Sequence, residues 1–196
     1  MYHSGDVVDL GCAAHRDRGK GRIVGINSGI YKLVLVLHIL TAIVGFGAVL
    51  LNGIYGQQAR SRKGTEGLAI SQANFLVSRI GMFFIYAVFI FGVLLVVLSD
   101  KAWSFSDSWI VAAIVLYVLG IGLAHGAAFP NARRMINLQE QLIAMGPPPG
   151  GAGASGEPPP QVIELEERGR RAGIVGAVLS LDLVLILMLM VWGPRF

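Results

Sequence analysis

Cysteine is almost missing from this chain of 196 residues, where Cys12 stands alone. A single thiol excludes an internal disulfide and any all-cysteine metal site. Charge is scarce as well, at 14% of residues, against about 25% in ordinary soluble domains. The shortfall is concentrated in four long apolar runs, which excludes a conventional soluble fold and leaves one polytopic membrane domain. No Ser-His-Asp, HExxH, CxxC or nucleotide-binding glycine-loop pattern occurs. Gly45 and Gly47 form a bare GxG inside an apolar run, a sign of close packing rather than phosphate binding. A net charge of +4 would suggest nucleic acid in a soluble protein. Beside membrane helices, basic residues set topology instead, so the expected partner is the lipid bilayer and not nucleic acid.

The feature that organises the rest is residues 174–192, IVGAVLSLDLVLILMLMVW, apolar except for Ser180 and Asp182. Its length matches the ~20 residues that cross a hydrocarbon core. A carboxyl at that depth costs at least about 2.5 kcal/mol on insertion scales. The other runs are therefore expected to pack around this helix and give Asp182 a partner, a water or a proton. The fold class is all-α, a four-helix transmembrane bundle with spans near 31–53, 80–98, 109–129 and 173–193.

Residues 1–29 are polar, Gly-rich and basic, with no apolar core of a signal peptide, and are expected to be disordered. A natural start at Val24 is the alternative, which an intact mass decides. In the first span His38, Thr41, Ala42, Gly45, Ala48, Val49 and Asn52 share one helical stripe. Small residues there let helices approach closely, so this face is read as inward. Residues 56–78 read as a polar loop with a short amphipathic stretch over 68–77. The second span carries Tyr86 as its one notable polar group, and Trp103 and Trp109 bracket the next link like an interfacial belt. In the third span Tyr117 is central and His125 late, and Pro130 marks the exit and a kink. Beyond it, residues 130–171 read as two helical arms joined by a Pro/Gly-rich bridge, 146–160, which is expected to stay unfolded. The arms make a cytoplasmic hairpin.

Lys and Arg are concentrated in the first and third connections: Arg60, Arg62, Lys63, Arg79, Arg133, Arg134, Arg168, Arg170 and Arg171. Lys101 and Arg195 are alone in the second connection and at the C-terminus. Positive-inside bias puts the basic connections in the cytoplasm and both termini outside. On that frame His38 and His125 are offset by ~16 Å along the membrane normal. They cannot share a metal whose bonds are about 2 Å long, and a shared bis-His haem is disfavoured likewise.

Asp182 lies near the midplane, with Ser180, Tyr117, Thr41 and His38 at similar or slightly outer depth. A cluster of Asp182 with the Tyr117 hydroxyl or with His38 is expected, able to carry a proton or accept a cation. The structural alternative is a protonated Asp182 that only binds a neighbouring helix. His38 is likewise a capped core histidine or a cofactor or relay group. His125 is read as reaching headgroups or water. Arg79, Arg133 and Arg134 are candidate contacts for anionic lipid headgroups, a role whose sequence signature is identical to that of topology determinants.

The stretch KLVLVLHILTAIVGFGAVLLNGIYGQQAR, residues 32–60, resembles a bacterial family of predicted integral membrane proteins of unknown function. That family is loosely grouped with copper-resistance D membrane proteins and a membrane-embedded protoporphyrinogen oxidase. The shared cue is Lys32, His38 six residues later, then small residues and a polar, basic exit. The likeness spans the four apolar runs and not the tail or the bridge. It implies a multi-pass protein of the bacterial plasma membrane, with His38 as a ligand for haem or copper. From the residues themselves the leading expectation is a non-enzymatic membrane protein or accessory subunit of a membrane complex. A haem- or copper-associated redox or transport protein and a small proton-coupled carrier built on Asp182 are the alternatives.

Overall fold

The computed structural model describes residues 25–62, 64–146 and 158–193. The expectations placed on residues 1–24, Lys63, the bridge 147–157 and Arg195 lie outside that range. All regular structure among the described residues is helical: α1 (Gly29–Ser61), α2 (Gly64–Leu98), α3 (Ser108–Leu123), α4 (Phe129–Ala144) and α5 (Pro160–Trp192). A π-helical turn, Ala124–Ala128, joins α3 to α4, so Ser108–Ala144 is one rod of 37 residues. Four helices are long and apolar enough to cross a membrane. The chain is a multi-pass membrane protein of the all-α, four-helix class.

Two boundaries differ from the sequence reading. The polar loop expected over 56–78 is helix, because α1 runs to Ser61 and α2 starts at Gly64. Gly64 adopts a φ of +67°, left-handed backbone that glycine takes at no steric cost, and this closes the turn in a few residues. Gly67 sits where a side chain would meet the Arg62 carbonyl at 2.2 Å, so the turn can be this tight. Residues 25–28, assigned to the tail, form an ordered turn. The Gly25 amide donates to the Leu98 carbonyl, and Ser28 caps α1 through the Tyr31 amide.

Pro130 does not end the third helix either. Proline offers no N–H and crowds the carbonyl four residues back, which ordinarily breaks or kinks the rod. Here the ladder widens first: the Phe129 amide reaches the Ala124 carbonyl, five residues back, and the chain continues as α4.

The helices form a ring in the order α2, α1, α5, α3, with α4 closing one end against α2 and α5. The α1–α2 seam is the closest. A Cβ on Gly45 would lie 3.0 Å from Ile85, and one on Gly81 would lie 2.5 Å from Ala48. The stripe read as inward supplies this seam. By contrast, the backbones of α2 and α3 stay apart and aromatic side chains bridge the gap. Phe89 stacks on Tyr117 with centroids 4.6 Å apart, and Trp103 meets Trp109 edge to face at 5.7 Å. At the opposite, basic end Asn131 and Arg134 of α4 bind Arg168 and Glu164 of α5, holding the two arms together.

Candidate functional site

The ring encloses a cavity of about 1960 Å³. It runs from Trp103 and Trp109 at one end to Arg60 and Arg168 at the other, and its middle is lined mostly by aliphatic, glycine and aromatic residues. Of the candidate site residues named from sequence, His38, Tyr117, Asp182 and Arg134 line it, as does Ser180.

His38 is set by its neighbours on α2. Its Nδ1 lies 2.9 Å from the Val88 carbonyl, and Gly92 makes room for the ring, since a Cβ there would sit 3.2 Å from Cε1. A carbonyl only accepts, so Nδ1 carries the hydrogen and donates. In the neutral ring the lone pair is therefore on Nε2, which has no partner among the described residues.

Asp182 lies against α3 at Gly120, where a Cβ would come within 2.6 Å of Oδ2. No hydrogen bond or ion pair reaches its carboxyl among the described residues. The expected cluster around it does not close. The Tyr117 hydroxyl donates instead toward the Ile85 carbonyl at 3.5 Å. Thr41 donates to Leu37 and His38 carbonyls of its own helix and does not line the cavity. The separation of Asp182 and His38 follows from register. Asp182 is level with Gly120, three residues beyond Tyr117, while His38 is level with Gly92, three residues the other way from Phe89. Six residues are roughly 9 Å of rise, too far for a direct bond.

The same register puts His38 level with about residue 114 of α3, roughly 16 Å from His125. The two imidazoles also meet different faces of α2. Val88 and Tyr86 are two residues apart, hence about 200° around the helix. Among the described residues no three His, Cys, Asp or Glu side chains converge as a metal site would require.

One polar pair was not anticipated. The Tyr86 hydroxyl and His125 Nε2 are hydrogen-bonded, with the rings nearly parallel at 9°. His125 then stacks on Phe129, Phe129 meets Phe75 edge to face, and the Arg133 guanidinium lies over the Phe75 ring at 5.6 Å. Depth contained the signal, since Tyr86 and His125 both fall on the basic side of their span midpoints.

The three arginines considered for lipid headgroups part company. Arg79 is exposed and makes no ion pair among the described residues, and Arg133 is over Phe75. Arg134 forms a two-pronged pair with Glu164, at 3.0 and 3.1 Å, which Arg168 joins at 2.8 Å. This triad is in the arms, ten residues before the apolar run of α5. The two guanidiniums hold the Glu164 carboxyl far below its ordinary 4.5, at about 2.

No family model matches the chain, and no curated protein or solved structure is similar to it. The fold and site therefore define a class only, a four-helix multi-pass membrane protein with a large central cavity.

Proposed function

We propose that this protein is a small, non-enzymatic carrier of the bacterial plasma membrane in which Asp182 takes up and releases a proton. The observation that carries this reading is the unpartnered Asp182 carboxyl, facing the cavity from within an apolar helix. An acid kept at that depth without a structural partner has no role in helix adhesion, and intramembrane acids are functional by default. Gly120, without a side chain, leaves the space that the carboxyl occupies against α3. In this reading both termini lie outside and the α4–α5 arms in the cytoplasm, supported by Arg60, Arg62, Arg79, Arg133, Arg134, Arg168, Arg170 and Arg171 on that side. Reconstituted in liposomes, the protein should dissipate an imposed pH gradient, and Asp182→Asn should lower that flux at least tenfold. Equal flux from the variant rules the carrier out.

A second reading, a haem-associated protein, is favoured by His38. An imidazole whose Nδ1–H is fixed on a carbonyl while Nε2 faces a cavity has the arrangement usual for an axial ligand. Copper fits less well, since it asks for several convergent soft or imidazole donors and no three-residue cluster of His, Cys, Asp or Glu is present among the described residues. A bound haem would supply redox chemistry; His38 would hold the iron and Val88 would fix the tautomer. A Soret band in the purified protein, lost in His38→Ala, would establish this reading, and a colourless protein would remove it. Stoichiometric co-purification of other membrane proteins would instead support an accessory subunit.

A further inference from the structure

The cavity is zoned, and its basic end is built. Arg60, Arg134, Arg168 and Arg171 all line it. Glu164 pairs with Arg134 and Arg168, and Glu167 pairs with Arg171 at 2.5 Å. Arg60 alone of the four has no carboxylate among the described residues. It reaches from α1 across to α5 and donates through Nη2 to the Gly169 carbonyl. Gly169 and Gly173 are the seat for this guanidinium: a Cβ at 169 would lie 3.4 Å from Nε, and one at 173 would lie 3.9 Å from Nη2. One carbonyl uses one of its five N–H donors, and this exposed side chain makes no other hydrogen bond among the described residues.

Above this zone the lining is mostly apolar, through residues such as Gly47, Ile121 and Leu183, with Asp182, Ser180, Tyr117 and His38 interrupting it below the tryptophans. The volume is about twice the upper range of ordinary small-molecule sites, roughly 300–1,000 Å³. A soluble anion would use only the basic end, and an uncharged hydrocarbon only the middle.

We propose that the cavity binds one molecule of an anionic membrane phospholipid. Its phosphate sits on Arg60, and its acyl chains fill the mostly apolar middle. The guanidinium is a planar fork suited to two phosphate oxygens. The phosphate contact at Arg60 does not involve Asp182, but the acyl chains share the cavity that Asp182 lines, so the test reads lipid retention and not proton flux.

The test is native mass spectrometry of the full-length protein in mild detergent, titrated with phosphatidylglycerol and with phosphatidylcholine of the same chains. One phosphatidylglycerol per chain should be retained, at least tenfold more tightly than phosphatidylcholine. Arg60→Gln should lose that preference. Gly47→Phe leaves every arginine in place and projects a ring into open cavity space, with nothing within 4 Å of its Cβ. It should weaken the lipid at least tenfold while melting like the parent. Glycerol phosphate should not compete. Equal retention of the two lipids, an unaffected Gly47→Phe protein, competition by glycerol phosphate, or a lipid-free dimer in place of the adduct would each overturn the proposal.

Discussion

The α1–α2 seam and the α2–α3 gap are two sides of the same helix with opposite construction. On one side α2 presents Gly81, Ile85, Val88 and Gly92, and α1 answers with Gly45, Ala48 and His38, so the rods touch. On the other it presents Tyr86 and Phe89, and side chains rather than backbones meet His125 and Tyr117. Inside lipid there is little hydrophobic gain in bringing helices together, so close packing of small residues supplies the adhesion. Rings on a helix face do the reverse and hold the neighbour at a distance. The bundle thus owes its cohesion to the glycine seam and its internal space to the aromatic gap.

The largest effect should come from exchanging these characters. Gly81→Leu drives a side chain into Ala48 and should destabilise the protein by about 3 kcal/mol, the upper range for overpacking. Gly122→Leu, where a Cβ meets nothing within 4 Å, should stay within about 0.5 kcal/mol of the parent. Unfolding titrations in mixed micelles compare the two, and similar losses would show that the seam is not special.

Acid should act next, and only on the basic end. Because the folded pKa of Glu164 is depressed, its contribution is complete above 4.5 and is lost as pH falls towards about 2. Spin labels on α4 and α5 should therefore separate over that window, while labels on α1 and α2 should not. Arg134→Gln should shift the separation to higher pH. An unchanged midpoint would mean that the ion pair does not hold the arms. The smallest effect belongs to the gap: Tyr86→Phe removes the bond to His125 and should cost about 0.6 kcal/mol, the average for interhelical bonds in membranes. A cost above that of Gly81→Leu would reverse the roles assigned to the two faces.

The four spans were legible because hydrocarbon solvent imposes length and apolarity on each one separately. The inward stripe of α1 was legible for the same kind of reason, since Gly45 and Ala48 recur at helical spacing. Partner identity is not written in periodicity. Asp182, Tyr117 and His38 share a cavity, but a rise of about 1.5 Å per residue keeps Asp182 and His38 out of bonding range, and only the register of four helices shows it. Thr41 was misplaced because a threonine hydroxyl in a helix can bind the carbonyls of the preceding turn, and here it does. The extension of α1 and α2 as far as their tight turn was hidden by polar composition, which reads as loop whenever helices outrun the bilayer.

The surplus residue at Ala124–Ala128 also changes how this chain must be plotted. An angular projection carried at 100° per residue from α3 into α4 is out of phase by one step beyond it. Leu138, fully buried, would be drawn about a quarter-turn from its true bearing. Deleting one alanine from that turn would reset the phase, rotating the arm that carries Asn131 and Arg134 away from its docking strip on α5.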